Sequence, residues 1–409
     1  MKISLRFWKA QKNKPEVTLY PVMCNMHGKP TSFLWITLML LLVGCQNATP
    51  TDSSLGPGNT PPFPDIQPVT PSLAISTTTS IPPHTHTPTP SASPSATTTP
   101  HPLFPFTVPG LRARTYSGGQ IQIRWDLAHT ASFSQYYIDY PSDGLTITGV
   151  MYVPVGEGPF PVLILLHGYV DRDLYFSGAD TWQAAEFFAG QGYLVISPDL
   201  RSWGESDPGL SLFHTGLTVD VINLIASLQT LREADTDHIG LWGHSMGGGI
   251  ATKVLAVAGH HIDAAVLYAP NSGDDADLIA RWGRGCLPGK SEAGGVQCNP
   301  AEVIPEDTPS DVVDAYIVQA RNPEFLRQVA PLFHLDSITT PIQIHIGTAD
   351  GQSLSETPPE WSEKLAEALR TANKDVDYYT YTGQGHAFMG ESWTLFQARA
   401  LAFFDEHLK

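Results

Sequence analysis

Apolar residues in the second half of the chain arrive in two textures. Short runs, unbroken except for Gln343 and His345 in the last, occur at residues 162–166, 193–196, 239–242, 264–268 and 342–346. A strand covered on both faces has no polar side to present, so such runs predict strands inside a parallel sheet. Between them, residues 179–189, 218–231, 248–258, 361–371 and 394–408 carry apolar positions at helical spacing. Strand and helix in alternation predict an α/β architecture, a doubly wound, mostly parallel sheet. Ahead of the first run, residues 135–140 and 145–153 alternate around Pro141-Ser142-Asp143-Gly144, the pattern of a hairpin. Residues 376–381 supply a last strand. Only the interval 271–336 breaks the rhythm. It is too long for a plain connection, and residues 311–321 hold a helical stripe of Val312, Val313, Tyr316, Ile317 and Ala320. An inserted lid over 271–336 is the expectation. No self-similarity at a period of 20–50 residues appears, which argues against a propeller or solenoid.

The first hundred residues read differently. Residues 33–43, FLWITLMLLLV, are apolar except for Thr37 but too few to cross about 30 Å of hydrocarbon; they suit the core of a signal peptide. The run ends at Leu42-Val43-Gly44-Cys45, which resembles a bacterial lipobox. Residues 1–44 are then a lipoprotein signal peptide, and acylated Cys45 anchors the mature chain to a membrane of the bacterial cell envelope. An ordinary signal peptide or a short signal anchor with an incidental cysteine is the alternative. The stretch before Phe33 is long for a leader, and a start at Met23 or Met26 would shorten it. Residues 45–107 are mostly Thr, Ser and Pro, a composition that buries too little apolar surface to offset chain entropy. A stalk is expected there, with the folded domain over 108–409. His84, His86 and His101 fall on this segment and read as solvated rather than as metal ligands.

Charge and cysteine content narrow the function. Against 23 Lys and Arg stand 40 Asp and Glu, a formal charge of -17 that repels phosphate backbones and excludes nucleic acid as a partner. Four cysteines are too few for a disulfide scaffold or zinc ribbon. With Cys24 removed and Cys45 acylated, Cys286 and Cys298 remain, and export would place them where disulfides persist. A Cys286–Cys298 bridge is expected; two free buried thiols are the alternative.

The chemistry is carried by Gly243-His244-Ser245-Met246-Gly247, which follows one predicted strand and opens a Gly-rich helix. This is G-x-S-x-G in its strand–turn–helix setting, the nucleophile elbow of the α/β-hydrolase fold. A serine hydroxyl is a weak nucleophile and needs a base, itself oriented by an acid, in the chain order Ser, Asp or Glu, His. Asp350 follows the strand ending at residue 346, and His386 follows the strand ending at 381. Both lie beyond carboxyl ends of parallel strands, where open α/β sheets place their sites. Glu356 and Asp336 are the rivals for the acid. Met246 N–H, at the helix start, and Tyr169 N–H, in the loop His167-Gly168-Tyr169, are the candidate oxyanion donors. His167 and His244 read as bracing residues. Trp203, Trp361 and Phe388 read as pocket walls or as core.

With these residues in place, the chain from about 136 to 408 resembles the catalytic domain of the prolyl oligopeptidase family within the α/β-hydrolase superfamily. The matching segments are LLHGY, SPDLRSWGESD, GHSMGGG, and RNPEFLRQVAPLFHLDSITTPIQIHIGTAD running into TGQGHAF. The resemblance implies Ser245, Asp350 and His386 as the triad, with Tyr169 and Met246 as oxyanion donors. Ser202 stands where the family's Asp-x-Arg-Gly pattern has glycine, and Gln352-Ser353 replaces the usual apolar residue and proline after the acid. The family's β-propeller is missing, so the lid must do any gating. The reading that follows is a secreted, lipid-anchored serine hydrolase that forms an acyl-enzyme, needs no cofactor or metal, and cleaves small peptides. Hydrolysis of small or carbohydrate-linked carboxylic esters is the alternative, and a non-catalytic binding module on the same fold is the rival from another class.

Overall fold

A computed structural model describes residues 101–287 and 298–409. The leader, Cys45, His84, His86 and all but the end of the stalk lie outside the described residues. Nine strands form one sheet: β1 (Gln122–His129), β2 (Phe133–Ser142), β3 (Leu145–Pro154), β4 (Phe160–Leu166), β5 (Leu194–Pro198), β6 (Ala234–His244), β7 (Ala264–Tyr268), β8 (Ile342–Gly347) and β9 (Val376–Tyr381). Their order is β1-β2-β3-β5-β4-β6-β7-β8-β9. The pairs from β1 to β5 are antiparallel, and every pair from β5 onward is parallel. The helices are α1 (Val108–Arg112), α2 (Trp182–Gly190), α3 (Thr215–Ser227), α4 (Met246–Ala258), α5 (Asp275–Trp282), α6 (Ser310–Gln319), α7 (Pro323–Val329), α8 (Pro359–Thr371) and α9 (Glu391–Leu408).

The unbroken apolar runs have the expected cause. In β4, Val162, Ile164 and Leu166 face a core built with α3, α4 and α8 through Leu217, Val221, Ile250, Val254 and Leu365. Leu163 and Leu165 face the opposite core, built with α2 and α9 through Phe188, Phe396 and Phe404. Alternate side chains thus enter different cores, and a polar residue at any of the five positions would be buried without a partner. The β2–β3 hairpin closes with Ser142 opposite Leu145 across a two-residue turn. Asp143 (φ 51°) and Gly144 (φ 81°) both take left-handed backbone there, as a tight primed turn requires.

Two boundaries differ from the sequence reading. The fold starts before residue 108. Leu103 is fully buried in a third cluster with Phe213, Tyr316, Phe325 and Val329. His101 is exposed but held: its Nδ1 accepts the Leu103 N–H at 3.1 Å, and its ring lies 5.6 Å from Phe325. Leu103 and the partly buried Phe106 pack against the core of the insertion, at the end of a segment whose composition reads as stalk. The second difference is β1, which the sequence reading omits although Ile121, Ile123, Trp125 and Leu127 alternate with polar residues at strand spacing; nearly all residues of the strand are exposed.

The interval 271–336 is built from α5, α6 and α7, and it shares the third cluster with Leu103 and Phe213. Cys286 and Cys298 are joined by a disulfide with their Cα atoms 4.8 Å apart. The insertion touches the loop that follows β8 through α5. Arg281 donates to the carbonyls of Gly351 (3.3 Å) and Ser353 (2.5 Å), and Trp282 Nε1 donates to Leu354 O (2.6 Å). Those acceptors lie in the loop that follows Asp350.

Candidate active site

Ser245 sits between β6 and α4 with φ 52° and ψ −116°. This left-handed conformation is strained for a side chain with a Cβ, at a cost of order 1–3 kcal/mol, so the surroundings must enforce it. They do so through backbone bonds: Ser245 N–H donates to Tyr268 O on β7, and Asn271 N–H donates to Ser245 O, each at 2.9 Å. Close approach explains Gly247, where a Cβ would lie 2.1 Å from the Leu166 carbonyl oxygen. The turn therefore passes against the end of β4. A Cβ added at Gly168 would stand 3.2 Å from the Ser245 Cβ, which puts the loop after β4 directly beside the serine.

His386 and Asp350 are in contact. His386 Nδ1 lies 3.0 and 3.1 Å from the two Asp350 carboxylate oxygens. The Asp350 side chain is fully buried and receives three further bonds, from Gly351 N–H (2.7 Å), Thr357 N–H (3.2 Å) and Thr357 Oγ1 (3.0 Å). These donors satisfy a carboxylate that burial alone would penalise. Ala349 N–H also donates to Gln384 O at 2.9 Å, so the loop carrying the acid is tied to the loop carrying the histidine. Thr357, which contacts the acid and lies 3.2 Å from His386 Nδ1, was not singled out from sequence. Its role comes from the loop folding back seven residues after Asp350. Glu356 instead accepts from Ser353 N–H on the exposed surface, and Asp336 is exposed beside Arg112.

Ser245 Oγ makes no hydrogen bond among the described residues, so the serine is placed by its neighbours. Adjacent His244 has its ring 4.8 Å from the His386 ring. His244 Nδ1 lies 2.9 Å from Asp180 Oδ2, and its Nε2 lies 3.2 Å from the His386 carbonyl. Asp180 Oδ2 accepts the Gly168 N–H at 2.6 Å. Burial opposes ionisation of Asp180, but the charge and hydrogen bond of His244 outweigh it and hold the carboxyl down at about 2. Burial likewise opposes charge on His244, and Asp180 reverses this and raises its basicity. Asp180 carries no local sequence signal, since it meets the elbow only through the fold.

Tyr169 N–H and Met246 N–H donate no hydrogen bond among the described residues. Met246 opens α4, where helix geometry leaves the first N–H groups without intrahelical partners. His167 is the brace expected from sequence, its Nε2 3.0 Å from Asp199 O. Trp203 and Phe388 are core residues, almost wholly buried, with Trp203 Nε1 donating to Val170 O. Trp361 packs edge-on against Trp282 of the insertion. Ser202 takes φ 72°, so the position where the family pattern has glycine does hold left-handed backbone. Among the described residues, no group of three or more His, Cys, Asp or Glu converges as a metal site.

Two family models match this chain. That of the α/β hydrolase fold covers residues 161–284, and that of the prolyl oligopeptidase family covers residues 308–409. A curated relative, lysophosphatidylserine lipase ABHD12 of Xenopus tropicalis, is 32% identical over 104 residues, 25% of this chain and 25% of that protein. The chain thus spans about a quarter of that relative's length. Acetyl xylan esterase 1 from Thermoanaerobacterium aligns at a TM-score of 0.52 and 17% identity, covering 75% of this chain and 92% of that one. Acylaminoacyl peptidase from Pyrococcus horikoshii aligns at 0.50 and 18% identity, covering 68% and 42%. These two likenesses concern the fold, and the described residues contain no propeller. The chain therefore has the α/β-hydrolase fold, with residues 161–284 matching the model of that fold and residues 308–409 matching that of the prolyl oligopeptidase family.

Proposed function

We propose that the protein is a serine hydrolase working through an acyl-enzyme, with Ser245 as nucleophile, His386 as base and Asp350 as the acid that orients it. The observation that carries this reading is the buried Asp350 carboxylate bonded to His386 Nδ1 beside a strained serine elbow. With its proton on Nδ1, the His386 ring presents a lone pair at Nε2 and takes the Ser245 proton as Oγ attacks the acyl carbon. Negative charge develops on the former carbonyl oxygen, where Tyr169 N–H and Met246 N–H are free to donate to it. Protonated His386 then gives its proton to the leaving group. Water enters, loses a proton to His386 and releases the acid, restoring Ser245.

Amides and esters share this path. Peptide cleavage is the reading that the match to the prolyl oligopeptidase family supports. Ester cleavage is supported by the alignment covering 92% of an acetyl xylan esterase. Hydrolysis of p-nitrophenyl acyl esters against aminoacyl and prolyl p-nitroanilides separates them, with Ser245→Ala as the control. Turnover of either set that disappears in Ser245→Ala supports a hydrolase; no turnover of either set supports the binding module. We further propose, from residues 33–45, export and lipid anchoring at Cys45. A mature N-terminus other than acylated Cys45 in mass spectrometry would exclude the anchor.

A further inference from the structure

We propose that Asp180 and His244 form a second acid–imidazole pair, with His244 held as the doubly protonated imidazolium, and that this pair positions the three loops of the catalytic site. The inference rests on the serine hydrolase reading and goes beyond it, because neither residue touches the reacting atoms in that mechanism.

Both ring nitrogens of His244 face groups that only accept. Nδ1 lies 2.9 and 3.0 Å from the Asp180 oxygens, and Nε2 lies 3.2 Å from the His386 carbonyl oxygen. A neutral imidazole carries one N–H and would aim a lone pair at one of these acceptors; the imidazolium satisfies both. Asp180 holds a left-handed backbone, φ 68°, an unfavourable conformation for a residue other than glycine. That conformation brings its carboxylate to His244 and, at 2.6 Å, to Gly168 N–H. One carboxylate therefore holds the loop of the proposed donor Tyr169 and the elbow of Ser245. Through Nε2 of His244 it also reaches the main chain of His386.

The effect on His386 is specific. Its ring is held at Nδ1 by Asp350 and its backbone at the carbonyl by His244, so both ends of the residue are fixed before substrate arrives. The titratable groups around His244 are Asp180, Asp350, His386 (rings 4.8 Å apart) and Tyr268, whose ring stacks on it at 4.4 Å. Burial disfavours the cation, and Asp180, the His386 carbonyl and Asp350 favour it and together prevail. Loss of the second proton at high pH removes one of the two bonds, and the elbow separates from Asp180 or from the His386 loop.

Two measurements test this on the full chain. In the first, the labelling rate of Ser245 by a fluorophosphonate probe is followed against pH for the native protein, Asp180→Asn and His244→Gln. The native rate should fall on the basic side as His244 loses its proton. Asp180→Asn should shift that fall to lower pH and slow labelling by about 10–100-fold, and His244→Gln should abolish the fall. An Asp180→Asn profile that superimposes on the native one overturns the inference. The second measurement, ¹⁵N NMR of histidine-labelled native protein, needs no variant to fold. Two protonated nitrogens on His244 at pH 7 support the pair, and a single protonated nitrogen overturns it. Absence of labelling at Ser245 in the native protein would instead refute the hydrolase reading.

Discussion

Replacing Asp350 by Asn changes the candidate site by one atom type and almost no volume. One carboxylate oxygen accepts from Gly351 N–H and Thr357 N–H, both backbone donors, and the amide oxygen of Asn would take that position. The amide nitrogen then stands 3.0 Å from His386 Nδ1 and beside Thr357 Oγ1, while the amide oxygen, 3.1 Å from the same ring nitrogen, is already taken by the two backbone donors. The threonine tolerates it, since its own proton can go to Ala269 O at 3.0 Å. His386 does not. With a donor opposite Nδ1, the ring turns that nitrogen into an acceptor and carries its proton on Nε2, where no lone pair remains for the serine proton. The packing is preserved and the tautomer is wrong. Such a change lowers turnover by roughly 10⁴-fold, about 5 kcal/mol of transition-state stabilisation, while the fold should lose little. The assay is the second-order rate of fluorophosphonate labelling together with hydrolysis of a p-nitrophenyl ester, with thermal melts alongside. Activity within tenfold of native, in a variant melting within a few degrees of it, would refute the role given to Asp350.

Other substitutions probe the frame around the site. Gly247→Ala should abolish labelling and cost at least about 3 kcal/mol in denaturant unfolding, because its Cβ would stand 2.1 Å from a backbone oxygen that cannot move away. A variant with native stability would contradict the close approach of the elbow to β4. Cys286→Ser with Cys298→Ser opens a bridge of sequence separation 12 and should lower unfolding free energy by roughly 3 kcal/mol, read from the urea midpoint. Glu302 is buried near Asp275, and burial first, then that negative charge, push its carboxyl up to about 8. Its folded-state affinity for protons exceeds that of the unfolded chain, where a glutamate ionises near about 4.3. The contribution is therefore fully present below about 4.3 and lost as pH rises toward 8. Glu302→Gln keeps an acceptor for Phe213 N–H and should flatten the decline in melting temperature between pH 5 and 8. Parallel native and variant curves would refute it.

What could be read from the chain follows from which interactions are local. β4 and β7 announce themselves because both faces are buried, and the apolar run is the direct imprint of that burial. β6 begins at Ala234, five residues before its apolar run, because Asp235, Thr236, Asp237 and His238 extend it where the sheet meets solvent. β1 does leave an imprint, the alternation of Ile123, Trp125 and Leu127 with polar residues, but these side chains are about half exposed and β2 pairs with only one of its edges, so no buried face marks the segment. In the site, Ser245, Asp350 and His386 each lie at a strand end with glycine nearby, a signature visible one segment at a time. Asp180 and Thr357 have no such signature. Asp180 matters because the chain before α2 returns to Gly168 and His244, and a contact across 64 residues cannot be inferred from either segment alone. Leu103 shows the same limit at the edge of the fold, where its partners Phe213 and Phe325 are more than a hundred residues away.

The proposed chemistry requires that His386 make the hydroxyl of Ser245 nucleophilic. Intact-mass and peptide mass spectrometry after fluorophosphonate treatment tests this most directly. One adduct per chain on the peptide containing Ser245, lost in Ser245→Ala and slowed by at least a thousandfold in His386→Ala, is the expected result. An adduct on another residue, or equal labelling with and without the imidazole, would contradict it.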